Sequence, residues 1–157
     1  MPGQLMNFPV QIKLLPTNAP YLNGADLLIA ADCTAYAYGN FHQDFIRGKV
    51  TMIGCPKLDA VSYAEKLTEI FRNNDIRSIT VTRMTVPCCG GLSFAVKTAI
   101  EQSGKKIPLN IETISPDGKI IRQGSLIVLP HTSPPSSSRF RGALTDRDAQ
   151  DQILSVS

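Results

Sequence analysis

Short apolar runs alternate with amphipathic stretches along most of this chain, and this alternation constrains its fold more than any other feature. Residues 27–31 read Leu-Leu-Ile-Ala-Ala. Such a nearly continuous apolar run is typical of a strand that is buried on both faces of a parallel sheet. The same reasoning predicts further strands along the chain, at residues 50–53, 79–81, 108–114 and 119–121.

Two amphipathic helices separate the predicted strands. We expect Asp59 to cap the first helix, because apolar residues follow it at spacings of three and four within residues 61–71. The second helix opens at Gly90, buries an apolar stripe within residues 92–100, and stops at Gly104. Strands that alternate with helices form right-handed βαβ units. The sequence therefore predicts an α/β protein with a three-layer Rossmann-like or flavodoxin-like fold and a mainly parallel sheet.

Composition divides the chain near residue 129. Residues 1–129 hold the predicted α/β domain, whereas residues 130–157 contain three prolines and a run of three serines. Such a segment buries too little apolar surface to offset an ordering entropy of roughly 1–2 kcal/mol per residue. We therefore predict a disordered, Ser/Pro-rich carboxyl-terminal tail.

Charge and composition also exclude several classes of function. The net charge is only +3 and aromatic residues make up 6% of the chain, which argues against a nucleic-acid partner. No apolar run is long enough to cross a membrane and the first nine residues do not resemble a secretory signal, so we expect a cytoplasmic protein. The loops typical of serine hydrolases, P-loop nucleotide-binding proteins, dinucleotide-binding domains and cysteine phosphatases are absent from the sequence.

Each of the chain's cysteines comes shortly after a predicted strand. Cys33 and Cys55 follow the first two strands, and the adjacent pair Cys88 and Cys89 follows the third. Because the carboxyl ends of parallel strands share one edge, where open α/β folds bind their ligands, we expect all four cysteines to meet there. The helix that opens at Gly90 also offers N–H donors and a positive dipole, which stabilise thiolates.

Clustered thiolates have three plausible uses. The first is a 4Fe–4S cluster, which needs four thiolates and tolerates ligands that are scattered in the sequence. The candidate metal ligands are then Cys33, Cys55, Cys88 and Cys89. The second is a zinc site or a thiol-dependent enzyme, although the C-x-x-C knuckles of structural zinc sites are absent. The third is a non-catalytic partner domain whose cysteines are simply buried; disulfides are disfavoured in the cytoplasm.

Three segments carry a resemblance to a known family: AADCTAYA at residues 30–37, IGCPKLD at 53–59 and VPCCGGL at 86–92. With the surrounding region 9–121, they resemble the carboxyl-terminal domain of ferredoxin-type 4Fe–4S iron–sulfur binding proteins of anaerobic bacteria. The resemblance implies an electron-transfer context, with a redox protein or a ferredoxin module as partner. The C-x-x-C-x-x-C runs of the amino-terminal ferredoxin module are absent here, so any cofactor must use the four cysteines.

Two weaker resemblances keep the alternatives open. The Cys-Cys-Gly sequence at 88–90 is similar to the CCG motif of heterodisulfide-reductase-type subunits. The order of strands, helices and cysteines resembles that of β-type carbonic anhydrases. Those enzymes need a histidine three residues before the second metal-binding cysteine, and Val86 occupies that position in this chain.

Four more residues lie close to Cys33 in the sequence. His42 is expected to pack among aromatic neighbours, with a ligand or proton-relay role as the alternative. Tyr36 and Tyr38 are expected to pack in the core or at the rim, with walling the site as the alternative. Asp32 is expected to cap the turn after the first strand, with a hydrogen bond near the site as the alternative. The sequence thus predicts an iron–sulfur-binding, electron-transfer-related domain, with a zinc- or thiol-dependent enzyme or a non-catalytic partner domain as the alternatives.

Overall fold

The computed structural model describes residues 2–59 and 62–128, without the side chains of Cys88, Arg122 and Gln123. Strands and helices alternate through these ranges. The strands are β1 (Ala25–Ala31), β2 (Val50–Gly54), β3 (Ile76–Met84), β4 (Ile107–Ile114) and β5 (Ile120–Val128). The α-helices are α1 (Thr34–Ala37), α2 (Pro56–Asp59), α3 (Tyr63–Asn73) and α4 (Gly90–Ser103).

The strands form one sheet in the order β2-β1-β3-β4-β5. β1, β2, β3 and β4 are parallel, whereas β5 is antiparallel to β4. The chain leaves β1 toward β2 on one side, and it leaves β3 toward β4 on the other. The carboxyl ends of β1 and β3 therefore flank a topological switch point, where open α/β sheets bind their ligands. This architecture confirms the predicted α/β, Rossmann-like fold with a mainly parallel sheet.

β1 lies inside the sheet, and its burial explains the uninterrupted apolar run. Leu27, Leu28 and Ile29 are completely buried, and the two alanines that follow them are nearly so. Helices and connecting segments cover both faces of the strand, so its sequence does not alternate between apolar and polar residues. Each of the larger side chains contributes about 1.5–3 kcal/mol by leaving water.

α3 and α4 pack against each other on one face of the sheet. α3 begins after Ser62, whose hydroxyl accepts a hydrogen bond of 3.3 Å from the N–H of Ala64. Its buried face includes Leu67 and Phe71, both of which are completely inaccessible to solvent. α4 ends at Gly104, whose φ of 75° lies in the left-handed region that favours glycine.

The amino-terminal segment runs along the outer edge of β2. The side chain of Asn7 accepts a hydrogen bond from the N–H of Thr51 and donates one to its carbonyl, at 2.8 and 3.0 Å. The N–H of Ile53 donates to the carbonyl of Val10 at 2.8 Å. These bonds occupy an edge that could otherwise pair with another chain. Within the described ranges, none of the helices has the length and apolar character needed to span a membrane.

Several predicted boundaries differ from those observed. The expectation that Asp59 caps α3 is wrong. Asp59 is the last residue of α2, and Ser62 is the N-cap of α3. β3 and β5 are longer than predicted, because their hydrogen-bonded ladders continue past the apolar runs into polar residues. The predicted helical position Val61, the boundary at residue 129 and the tail at 130–157 lie outside the described residues.

Candidate functional site

The cysteine-bearing loops follow three neighbouring parallel strands. β1 lies between β2 and β3; Cys33 comes just after β1, and Cys55 directly after β2. The adjacent pair lies in a 3₁₀ turn, Pro87–Cys89, which connects β3 to α4. Because neighbouring strands are only about 4.8 Å apart, all three loops share the carboxyl edge of the sheet, as the sequence predicts.

Hydrogen bonds join the loop after β1 to both neighbouring strands. On the β2 side, the N–H of Asp32 donates to the carbonyl of Gly54 at 3.1 Å. On the β3 side, the hydroxyl of Thr34 lies 3.0 Å from that of Thr82, and both threonines are buried. Cys33 lies between Asp32 and Thr34, which make these hydrogen bonds, so its loop is fixed at the switch point between β1 and β3.

The thiols at this edge differ in accessibility. Cys33 is exposed, Cys55 is half-buried, and Cys89 is 7% exposed and belongs to the hydrophobic core. Within the described part of the chain, which lacks the Cys88 side chain, no three Cys, His, Asp or Glu side chains are close enough to hold a metal ion. The thiols described therefore do not form a complete ligand set as they stand.

The Cys55 loop is organised around the hydroxyl of Tyr63. The N–H of Cys55 donates to this oxygen at 2.9 Å, and the hydroxyl donates in turn to the carboxylate of Asp59. Burial, and then the hydrogen bond to Asp59, raise the pKa of the Tyr63 phenol well above its usual range. The phenol therefore stays protonated and acts as a donor.

Asp32 brings a second carboxylate to the same side of the site. Burial, with the nearby charge of Asp59 as the smaller cause, raises the pKa of Asp32. Its Oδ1 is buried and has no hydrogen-bond partner. The expected capping role is wrong, because Cys33 occupies the N-cap position of α1 and no side chain caps that helix. Asp32 is thus a partly desolvated carboxylate between the loops of Cys33 and Cys55.

Basic side chains lie on the other side of the site, behind the turn that carries the adjacent cysteines. Arg83, at the end of β3, is 2% exposed. Its Nε donates to the carbonyl of Met84 at 3.1 Å, and its Nη2 donates to that of Val86 at 3.3 Å. Burial, and then the charge of Arg83, lower the pKa of Lys97 on α4. Positive charge of this kind stabilises thiolates and other anions.

Exposed apolar side chains that are close in sequence to the cysteine loops are called the apolar rim. Each loop, or the helix that follows it, carries an exposed apolar or aromatic side chain: Tyr36 after Cys33, Leu58 after Cys55, and Val86 and Phe94 on either side of the adjacent pair. Phe94 also lines a mainly apolar cavity of about 290 Å³ between α4 and the start of α3.

The remaining sequence candidates serve other parts of the fold. His42 is exposed, and its Nδ1 accepts a hydrogen bond of 3.0 Å from the N–H of Gln4. It therefore holds the amino-terminal segment rather than packing among aromatic residues. Tyr38 is half-buried, makes an edge-to-face contact with Phe45 and donates to Asp44. Tyr36, by contrast, is 93% exposed and does not pack against the core.

Sequence reasoning missed Arg83 and Tyr63, and it gave Asp59 the wrong role. A signal for Tyr63 exists, because it follows Asp59 by four residues, the spacing of neighbours on a helix face. Arg83 lies in the second half of β3, where residues 79–84 are all buried. A charged residue at such a position needs internal hydrogen-bond partners, and this requirement marks it as a residue to examine.

The chain is thus an open α/β domain. Its cysteine loops lie at the carboxyl edge of the sheet, at the switch point between β1 and β3. A family model described as "Rossmann-like domain" matches residues 19–144, and the chain belongs to this family. A protein of Archaeoglobus fulgidus, described only as uncharacterized, is 34% identical over 104 residues, which cover 66% of this chain and 73% of that protein. No solved structure matches the chain. These comparisons support the fold, and they give no support to the ferredoxin-type resemblance in particular.

Proposed function

We propose that this domain binds an iron–sulfur cluster of the 4Fe–4S type through Cys33, Cys55, Cys88 and Cys89, and that it serves in electron transfer. The observation that carries the proposal is the convergence of three cysteine-bearing loops on the ends of three adjacent strands. Four thiolates are the usual ligands of such clusters. The sequence resemblance to ferredoxin-type proteins supports the same cofactor.

The surroundings of the site are suited to an anionic sulfur cofactor. Buried Arg83 supplies positive charge beside the turn that carries two of the cysteines, since it donates to the carbonyl of Val86. The N-terminal end of α4 supplies a positive dipole at the same place. Apolar side chains around the loops would limit access of water, which is one of the factors that set the reduction potential of a cluster.

The test of this proposal is the metal content of the chain after purification without oxygen. A brown protein that contains iron and acid-labile sulfide, with the visible absorption of a cluster, supports the proposal. A colourless protein with about one zinc per chain supports the zinc-dependent alternative, since zinc has no visible absorption of its own. A colourless protein without metal, even after anaerobic incubation with iron and sulfide, contradicts cluster binding.

Single serine substitutions test which thiols act as ligands. Cys33 and Cys55 each stand alone in a loop, so Cys33→Ser and Cys55→Ser should each abolish or strongly reduce the iron content. Cys88 and Cys89 are adjacent and one can partly replace the other, so their variants should differ, with Cys89→Ser the greater loss because it precedes the start of α4 directly. Ala35→Ser, at an exposed position of α1, is the control. Undiminished iron in all four cysteine variants contradicts a shared site.

A redox protein partner, such as a ferredoxin module, is the second part of the proposal. Tyr36, after Cys33, and Leu58, after Cys55, are exposed and can contact a partner. A few such side chains are enough for a transient redox complex, because these complexes use small interfaces. Serine at both positions should slow electron transfer from a reduced ferredoxin to the cluster-loaded domain while the iron content stays unchanged. An unchanged rate contradicts docking at this rim.

The exposure of Cys33 favours one further candidate function, thiol-dependent catalysis. A nucleophilic thiol must be reachable by its substrate, and Cys33 meets this condition. The metal analysis separates the two candidates. A metal-free chain whose Cys33 reacts much faster with a thiol reagent than a cysteine in an unfolded peptide would support catalysis by this thiol.

A further inference from the structure

A buried side chain from another element holds the backbone of Cys55. The N–H of Cys55 donates to the hydroxyl of Tyr63, the first residue of α3, at 2.9 Å. The hydroxyl donates to Asp59, so it is held from both sides. The ring of Tyr63 is 2% exposed, and it cannot turn away without leaving the core.

The residue before Cys55 is Gly54, which leaves room for this contact because it has no side chain. A Cβ on Gly54 would lie 2.7 Å from the hydroxyl oxygen of Tyr63 and 2.9 Å from its Cζ. Any side chain at this position would therefore displace the phenol from the N–H of Cys55. The absence of a side chain at Gly54 and the burial of Tyr63 are two parts of one local arrangement.

We propose that Tyr63 is a positioning residue for Cys55: its hydroxyl fixes the backbone of the Cys55 loop and thereby the direction of the thiol. The inference rests on the proposed function only in taking Cys55 as a ligand. Since Tyr63 occupies the Cys55 N–H, that amide cannot donate to a bound sulfur atom. The contribution of Tyr63 to the site is therefore the placement of the thiol, and Asp59 contributes by fixing the phenol.

Tyr63→Phe tests this role, because it removes only the hydroxyl. The chain offers a matched control, Tyr38→Phe, which also removes a tyrosine hydroxyl that donates to an aspartate, here Asp44. The readout is the alkylation rate of each thiol by iodoacetamide in the metal-free full-length chain, measured by mass spectrometry of cysteine-containing peptides. Cys33 is the internal reference in every sample.

In Tyr63→Phe we expect Cys55 to be alkylated about fivefold faster than in the wild type, since one ordinary hydrogen bond restrains the opening of its loop. The rate of Cys33 should stay within about twofold in both variants, as should that of Cys55 in Tyr38→Phe. Equal acceleration of Cys33 and Cys55 would indicate general loosening of the fold and would overturn the proposal. An unchanged Cys55 rate in a folded Tyr63→Phe protein would overturn it as well.

A second measurement needs no variant and covers the case in which Tyr63→Phe does not fold. In the wild-type chain, the Cys55 amide should exchange with solvent deuterium more slowly than the amide of Lys57, since a buried acceptor holds it. Exchange as fast as that of an exposed loop amide overturns the proposal. Neither readout requires a cofactor, so a failure to bind iron would contradict the proposed function and leave this inference standing.

Discussion

Replacing Gly54 by alanine tests directly how tightly the Cys55 loop is packed. A Cβ at this position would lie 2.7 Å from the hydroxyl oxygen of Tyr63, and 3.3 Å from Cδ1 of Ile12. Contacts below 3.0 Å are essentially never seen for real Cβ atoms, so an atom must move. Neither neighbour can move outward, because Tyr63 and Ile12 are both buried in the core.

The cost follows from these contacts. Inserting a methyl group into a well-packed core costs about 1–3 kcal/mol. Displacing Tyr63 also breaks its hydrogen bonds to Cys55 and Asp59, which contribute about 1 kcal/mol each. We therefore expect Gly54→Ala to reduce the free energy of unfolding by about 3–5 kcal/mol, which lowers Tm by about 10–15 °C for a domain of this size.

The assay is thermal unfolding followed by circular dichroism, with Gly39→Ala as the control. A Cβ on Gly39 would have no atom within 4 Å, so this variant should lie within about 0.5 kcal/mol of the wild type. If Gly54→Ala melts at the same temperature as Gly39→Ala, Tyr63 is not held against Gly54. The packing argument for the Cys55 loop would then be falsified.

Three further predictions concern the charges of the site and the extent of the domain. Arg83→Met should reduce the free energy of unfolding, measured in urea, by about 2–4 kcal/mol, because buried carbonyls lose a charged donor. Arg77→Met is the control: this arginine is mostly exposed, so its replacement should cost less than about 1 kcal/mol. The raised pKa of Asp32 means that the folded chain binds this proton more tightly than the unfolded chain does. The stability linked to this group is therefore complete below the unfolded pKa of 3.8 and is lost as pH rises through the folded pKa. Asp32→Asn should therefore raise Tm at pH 7 and lose this advantage below pH 3.8; equal gains at both pH values would contradict the argument. Deletion of residues 130–157 should leave Tm nearly unchanged, and a fall of more than about 5 °C would mean that this segment contributes to the domain, as the family match to residue 144 allows.

The fold was predictable because its main determinants are local in the sequence. The apolar run of β1 needs no knowledge of other residues, and Gly104 marks the end of α4 by its own conformational freedom. The start of α3 was missed because Asp59 and Ser62 are both good capping residues. The choice between them depends on Tyr63, which donates to the Asp59 carboxylate, and this contact becomes visible only when the loop is folded.

The site was predictable only in outline. That cysteines after adjacent parallel strands share an edge follows from topology. The difference in exposure among the cysteines does not follow from topology, because it depends on how each loop leaves its strand. Arg83 illustrates the limit: its neighbours in the sequence predict a strand, whereas its role comes from the carbonyl of Met84, the last residue of that strand, and that of Val86 in the loop that follows.

The same contacts indicate where the site must adapt if a cluster binds. Thr34 bonds to Thr82 and holds the Cys33 loop, and Tyr63 holds the Cys55 loop, so both loops are fixed by buried hydrogen bonds. The Pro87–Cys89 turn instead places the thiol of Cys89 in the core. That turn is also held, because the carbonyl of Val86 accepts hydrogen bonds from buried Arg83 and from the N–H of Cys89. On the proposed function, a cluster held by all four cysteines would therefore require the thiol of Cys89 to leave the core, whereas that of Cys33 is already exposed.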